Sequence, residues 1–354
     1  MSSSLTTILD RLEKDVPNRD DLATLLGLSR PEDTRVLFQA ARRARDRYFG
    51  RQVFFYGFLY FSTFCRNDCR FCQYRSSNKM LPRYRKTQAQ ILEAAKEMAD
   101  AGVHLIDLTM GEDPLLFSSQ EKDQKALVSM VKEVRQTTGL PVMISPGAVP
   151  DRLLSAMARA DADWYACYQE THNKALFARL RAGQDFETRL NKKQAARDFG
   201  MLIEEGILTG VGESLKDIAD SILWMRDFKV DQARVMTFVP HPDTPMGTAP
   251  FQDSQKEQII IAVMRLVLKD VLIPATLDVD GLSGLRVRLD AGANVVTSIV
   301  PPDKGLAGVA NQSLDIEDSR RTLNHILPVL KDCGLEPAEQ KGYQAWISQR
   351  QMKN

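Results

Sequence analysis

The sequence predicts a closed (β/α)8 TIM barrel. From residue 52 onward, short β-branched or aromatic runs alternate with amphipathic stretches, the pattern of parallel strands joined by crossover helices. Eight such units can be counted, and eight favour closure over an open doubly wound sheet. No low-complexity linker interrupts the run, so residues 52–310 read as one barrel domain.

Taken in order, residues 1–51 form an N-terminal helical cap packed on the barrel. Leu5, Ile8, Leu9 and Leu12 recur at helical spacing, and Leu22, Leu25 and Leu26 form a second set. The cations Arg42, Arg43, Arg45, Arg47 and Arg51 read as a solvated helix face, with a phosphate site as the alternative. The strands fall near 53–60, 104–109, 141–145, 164–168, 202–208, 233–239, 272–278 and 294–299. Amphipathic helices lie between them, such as 87–101, 119–138, 214–227 and 255–268. Residues 311–354 form a C-terminal helical extension, with a helix near 315–333 packed outside the barrel.

Composition narrows the class. A hydrophobic share of 44% supports a sizeable core, and a net charge of +1 gives no global reason to expect nucleic acid or an acidic membrane as a partner. The N-terminus mixes charges into its apolar pattern, unlike a signal peptide. The apolar run at 53–64 is broken by Gly57 and Ser62 and is too short to cross a bilayer. A soluble, cytoplasmic protein is expected. Five cysteines, three of them within eight positions, make a poor disulfide framework and a good metal-ligand cluster in a reducing compartment. Cys167 and Cys333 read as ordinary buried thiols.

The cluster is Cys65, Cys69 and Cys72, spaced C-x3-C-x2-C directly after the first strand, at the barrel end where chemistry is sited. A structural zinc would want a fourth nearby Cys or His, and the nearest histidine in sequence is His104. Three thiolates on an iron-sulfur cubane instead leave one iron open to a further ligand.

This spacing, with the aromatic Phe71 before the third cysteine, resembles the radical S-adenosylmethionine (radical SAM) superfamily. The resemblance implies a 4Fe-4S cluster whose open iron binds the amino and carboxylate groups of SAM, and whose electron cleaves SAM to a 5′-deoxyadenosyl radical. Leu108 to Pro114 (LTMGEDP) looks like the segment that holds the SAM amino group, with Gly111 in the strand end and Glu112 as the acid. Asp113-Pro114 also reads as a capped helix start. Gly206 to Glu213 (GILTGVGE) is similar to the stretch lying against adenine, with Leu208 in place of Ile.

Longer strings resemble one branch of the superfamily, which includes biotin synthase, the HydE-type hydrogenase maturase and the methylornithine synthases of pyrrolysine biosynthesis. Likeness to the methylornithine synthase family covers nearly the whole chain. LTMGEDP, Met143 to Gly147 (MISPG), Tyr168 to Thr171 (YQET), GILTGVG, Arg234 to Phe238 (RVMTF) and Ala291 to Ser298 (AGANVVTS) carry it. His241 to Pro245 (HPDTP) looks more like the maturase, and Thr276 stands where methylornithine synthases would place Ser. By this resemblance Glu170 takes the SAM ribose hydroxyls and Arg189 the SAM carboxylate, with Ser145, Tyr168 and Arg181 nearby. A helix-surface ion pair is the plainer alternative for the two arginines, and Gln184 is unassigned.

Three charged residues fall at strand positions that a barrel normally fills with apolar side chains: Asp107, Arg234 and Asp278. Buried charge is costly without a partner. Here the partner is either another of the three or a ligand with both ammonium and carboxylate groups. A diamino acid satisfies all of them, Arg234 taking the α-carboxylate and the two aspartates the ammonium groups, in either order. Thr276, Thr297 and Ser298 supply neutral hydrogen bonds. The resemblance implies L-lysine as substrate and (3R)-3-methyl-D-ornithine as product, the first step of pyrrolysine biosynthesis. It proceeds by hydrogen abstraction, Cα–Cβ cleavage and re-addition of a glycyl radical. No general base is required, and an electron donor such as a ferredoxin or flavodoxin is implied. The alternative is a HydE-type maturase acting on a sulfur- or iron-containing small molecule, which would leave the three buried charges unexplained.

Overall fold

The computed structural model describes residues 3–118, 121–250, 254–302, 304–306 and 321–353. Eight parallel strands form the barrel: β1 (Gln52–Ser62), β2 (Leu105–Met110), β3 (Val142–Ser145), β4 (Ala162–Ala166), β5 (Leu202–Thr209), β6 (Gln232–Thr237), β7 (Pro274–Thr276) and β8 (Val295–Ile299). They are hydrogen-bonded in the order β6-β5-β4-β3-β2-β1-β8-β7. The β6/β7 seam is joined at its N-terminal end alone, where Gln232 bridges Leu272 and the Ala233 amide donates to the Leu272 carbonyl at 2.9 Å. A nearly closed (β/α)8 barrel results, slit at the seam toward the C-terminal mouth.

Three strands, β4, β6 and β7, end earlier than their composition predicts, and for two of them the cause is visible. β4 stops at Ala166 because the Tyr168 carbonyl is taken by Arg181 (3.1 Å) and Arg189 (2.9 Å) instead of a ladder amide. β7 stops at Thr276 because the Thr276 hydroxyl donates to Asp278 at 3.0 Å and accepts from its amide, bending the chain out of the sheet.

The helices read from periodicity lie at Gln88–Ala101, Glu121–Thr138, Leu215–Phe228 and Gln255–Val267. Capping boxes at Thr87/Gln90 and Ser214/Asp217 set two of their starts. Asp113-Pro114 does open a short helix, a 3-10 turn over Pro114–Phe117 capped by the Asp113 carboxylate. Gln255–Val267 is buried on nearly every side because the N-terminal helix Pro31–Phe49 lies across its outer face. The basic stretch is correspondingly not all solvated. Arg45 is buried and donates to the Leu289 carbonyl at 2.8 Å.

The last predicted helix is found at Leu323–Asp332, its expected first turn lying outside the described residues. Beyond it the chain does something that periodicity does not announce. Glu336–Pro337 pairs with the start of β1, and the Tyr343 hydroxyl meets that of Tyr56 at 2.6 Å inside the barrel floor. Of the two spare thiols, Cys167 is buried whereas Cys333 is half-buried. No described helix is long and apolar enough to cross a membrane.

Candidate active site

At the C-terminal mouth the strand ends surround a cavity open to solvent, with roughly 1270 Å³ of empty space between its walls and out into its opening. Cys65, Cys69 and Cys72 line one wall, on the loop leaving β1. That loop is held by its own chemistry. Arg75 pairs with Asp68 at 2.5 Å, and Arg83 spends its guanidinium on the carbonyls of Thr63, Tyr74, Arg75 and Asn78. Gly111 at the end of β2 presses on the loop so closely that a Cβ there would fall 2.4 Å from the Phe64 carbonyl oxygen.

The three thiols sense one another. Burial first, then the neighbouring thiols Cys69 and Cys65, push the Cys72 thiol well up, and burial raises Cys65. Three mutually repelling thiolates in a buried wall want a cationic centre between them. Among the described residues no three His, Cys, Asp or Glu side chains stand close enough to grip a single ion. A cubane, which offers each thiolate its own iron, fits this donor set where a mononuclear zinc does not. Cys69 also accepts from Gln184 Nε2 at 3.0 Å and Arg181 Nη1 at 3.5 Å, so Gln184, unassigned from sequence, steadies a thiol of this loop.

All of the residues expected to bind SAM line this cavity: Gly111, Glu112, Ser145, Tyr168, Glu170, Arg181, Arg189 and Leu208. Glu112 Oε1 accepts from Arg189 Nη1 (2.9 Å) and the Ala148 amide (2.8 Å), while Arg66 reaches Oε2 at 3.1 Å. Burial pushes the Glu112 carboxyl up, but Arg189 and the amide outweigh it and hold it below its usual range. The fit is tight enough that Gly147, at φ +75°, could carry no side chain. Glu170 also sits in the left-handed region, at φ +66°, pinned by backbone bonds to Gly206 and Leu208. Its Oε1 pairs with Arg181 at 2.7 Å while its buried Oε2 has no hydrogen-bond partner. Arg181 and Arg189 are therefore interior cations, not surface ion pairs.

Ser145 and Tyr168 depart from their expected role, since their hydroxyls serve the charged residues deeper in the barrel. Ser145 donates to Asp107 Oδ1 at 2.9 Å, and Tyr168 donates to Glu204 Oε2 at 2.9 Å. Asp107, Arg234 and Asp278 do converge on the cavity. Asp107 Oδ2 has no partner, and burial together with the nearby Glu204 raises its carboxyl to about 7. Arg234 directs Nε to Glu204 (2.7 Å) and Nη1 to Thr297 (2.9 Å), leaving Nη2 without a partner. Asp278 is bound by Arg321 (2.8 Å), Ser298 (2.7 Å) and Thr276 (3.0 Å). Burial opposes its charge, yet Arg321 prevails and keeps it below its ordinary value.

Thr276, Thr297 and Ser298, expected to offer neutral hydrogen bonds to the substrate, are not among the residues lining the cavity here; their hydroxyls bond Asp278 and Arg234. Glu204 and Arg321, absent from the sequence reading, complete the set. Glu204 left a signal in two consecutive glutamates inside the apolar strand β5. Arg321 left none, standing within the helix expected near 315–333 outside the barrel. Counting formal charges, three carboxylates face two guanidiniums, so the chamber carries one negative charge in excess.

A cluster loop after β1 and SAM-type polar groups on the following strand ends of a (β/α)8 barrel define a radical SAM enzyme, and residues 59–225 match the family model described as the radical SAM superfamily. The chain is 41% identical to the 3-methylornithine synthase of Methanosarcina acetivorans over 92% of its own length and 91% of that protein. It superposes on the crystal structure of methylornithine synthase (PylB) with a TM-score of 0.90 at 40% identity, covering 96% of this chain and 99% of that one. Likeness to the hydrogenase maturase subunit HydE of Thermotoga maritima is lower, 32% over 82% of each. Within the radical SAM enzymes the chain belongs to the methylornithine synthase family, and its cofactors are a 4Fe-4S cluster and SAM.

Proposed function

We propose that the protein isomerises L-lysine to (3R)-3-methyl-D-ornithine, the entry step to pyrrolysine. The observation that carries this reading is the buried charge set at the cavity floor. Lysine carries two ammonium groups and one carboxylate, a net charge of +1, which neutralises the excess carboxylate of the chamber. The orphaned Arg234 Nη2 accepts the α-carboxylate, and Asp107 Oδ2 accepts one ammonium. Asp278 accepts the other, and a maturase substrate of sulfur or iron would leave these groups unmatched.

Cys65, Cys69 and Cys72 hold the cluster, Glu112 the amino group of SAM, Arg189 its carboxylate, and Glu170 its ribose hydroxyls, with Arg181 turning Glu170 toward them. In the present structure Glu112 and Arg189 hold each other at 2.9 Å, so an amino-acid zwitterion inserted between them trades one ion pair for two. Reductive cleavage of the bound cofactor supplies the 5′-deoxyadenosyl radical that takes a hydrogen atom from lysine. Once the Cα–Cβ bond has broken, the glycyl fragment keeps the α-carboxylate and α-ammonium and the alkene fragment keeps the side-chain ammonium. Arg234 and one aspartate thus restrain the first, and the remaining aspartate restrains the second. Restraint of both fragments in a dry chamber, not acid-base chemistry, selects re-addition at the inner alkene carbon. The electron comes from a carrier such as a ferredoxin or flavodoxin.

L-Norleucine, which keeps the α-amino acid but lacks the ε-ammonium, tests the charge match. Lysine should stimulate SAM cleavage well above background and norleucine should not; equal stimulation would refute the match. A pH dependence follows from Asp107. As pH falls through about 7 its carboxyl gains a proton and loses its hold on an ammonium, so KM for lysine should rise on going from alkaline to mildly acidic solution. The same carboxyl costs stability. Its value is raised on folding, so the fold is favoured with Asp107 protonated, and stability falls as pH rises toward and through about 7. Asp107→Asn, which keeps the Ser145 hydrogen bond, should therefore raise Tm at mildly alkaline pH, worth about 2–4 kcal/mol, while weakening lysine binding. A lower Tm in thermal melts would contradict this.

A further inference from the structure

We infer that the outer face of the cysteine loop is the docking surface for a small, acidic one-electron carrier protein. This deepens the radical SAM reading of the site and rests on it. Residues 64–86 hold seven Arg and Lys residues against a single acid, Asp68, in a chain whose net charge is only +1. Most of that charge is consumed internally. Arg66 pairs with Glu112, Arg75 with Asp68, Arg85 with Asp113, and Arg83 with four carbonyls.

Of the other three, Lys86 donates to the Lys304 carbonyl at 2.6 Å, and Arg70 and Lys79 are matched by no acid among the described residues. Arg70 follows Cys69 directly in the chain and is exposed, with no partner for its guanidinium among the described residues, and Lys79 is exposed with the Ser76 carbonyl at 3.2 Å. The Arg70 amide donates to the Leu180 carbonyl at 2.9 Å, which brings a third exposed cation, Arg179, to the same rim. Beside Lys79 stands Met80, 73% exposed, a large flexible apolar side chain on a loop that otherwise buries its apolar residues.

Exposed cations that no acid neutralises, together with an exposed apolar side chain on the same loop, are the features of a transient electron-transfer interface, where charge steers the encounter and little area is buried. The loop also carries the cluster ligands, so a carrier seated there lies a few residues of protein away from the acceptor. The step is balanced: the carrier's reduced flavin loses one electron, the oxidised cluster gains it, and that electron then breaks one sulfonium carbon–sulfur bond of SAM. Complementarity selects an acidic carrier. A nucleic acid would also meet the charge, but the aromatics of this loop are half-buried or buried, with Phe64, Phe71 and Tyr84 each under a cation, and offer no exposed stacking track for a strand.

The test uses the reconstituted holoenzyme with SAM and lysine and two reductants, dithionite and a flavodoxin kept reduced by NADPH and its reductase. In the double variant Arg70→Glu/Lys79→Glu, flavodoxin-supported 5′-deoxyadenosine formation should fall at least about tenfold at low ionic strength, with the dithionite-supported rate unchanged. The wild-type flavodoxin rate should also decline with added salt. An unchanged flavodoxin rate overturns the inference, and so does an equal loss with both reductants, which would place the two residues in the integrity of the site. Tight binding of a single-stranded DNA oligonucleotide that the variant loses, with no change in the flavodoxin rate, would assign the surface to nucleic acid instead. Failure of lysine as substrate would leave the comparison readable, because cofactor cleavage is the readout.

Discussion

Cys69→Ala should give a protein that folds but retains no stable cluster and releases no 5′-deoxyadenosine from SAM. Three thiolates are the fewest that hold a cubane while leaving one iron open, and Cys69 is the one of the three that Gln184 and Arg181 also engage. Its loss removes a ligand and releases Arg181 from one of its anchors, so the Glu170 carboxylate loses orientation as well. Iron and sulfide analysis after anaerobic reconstitution, with chromatography of the nucleoside product, reads both effects. A full complement of iron with normal SAM cleavage would remove the cysteine loop from the site.

Arg234→Ala is expected to separate cofactor chemistry from isomerisation. Among the described residues Arg234 hydrogen-bonds Glu204 and Thr297 and not the cysteines, Glu112, Glu170 or Arg189, so iron content and SAM binding should be retained, while methylornithine formation should fall by at least about a hundredfold. That figure follows from breaking a buried ion pair, which costs about 3–5 kcal/mol. Part of the loss is structural, because Glu204 would be left facing the chamber without its guanidinium. The double variant Arg234→Ala/Glu204→Gln distinguishes the two contributions. Neutralising Glu204 should restore thermal stability toward that of the wild type without restoring activity, because no cation then receives the substrate carboxylate. Recovery of activity in the double variant would reduce Arg234 to a partner for Glu204.

The barrel was legible because each strand announces itself locally. Runs such as Val53 to Tyr60 and Leu202 to Leu208 are apolar or β-branched and are bounded by helices with their own caps, so pattern and structure agree to within two or three residues. The misread ends of β4 and β7 fail for one reason: at functional strand ends, side chains take the backbone groups that a ladder would otherwise use, as Arg189 does at Tyr168 and Thr276 at Asp278. Spacing and resemblance singled out the cysteines, Glu112, Glu170 and Arg189, and the fold brings them to one cavity. Partnerships across the barrel were not. Nothing local says that Glu204 meets Arg234 from the neighbouring strand, that Thr297 and Ser298 brace charges without touching the cavity, or that Arg321 returns from beyond β8 to hold Asp278. Tyr343 rising into the floor against Tyr56 is likewise a long-range pairing that helical periodicity cannot encode.

The substrate is decided by reconstituting the protein anaerobically with iron and sulfide, reducing it, adding SAM and L-lysine, and following the amino acids by chromatography and mass spectrometry. The expected product is isobaric with lysine, chromatographically distinct from it and co-elutes with (3R)-3-methyl-D-ornithine. Lysine-independent release of 5′-deoxyadenosine with no such isomer would contradict the substrate assignment, and the maturase-type reading would then lead.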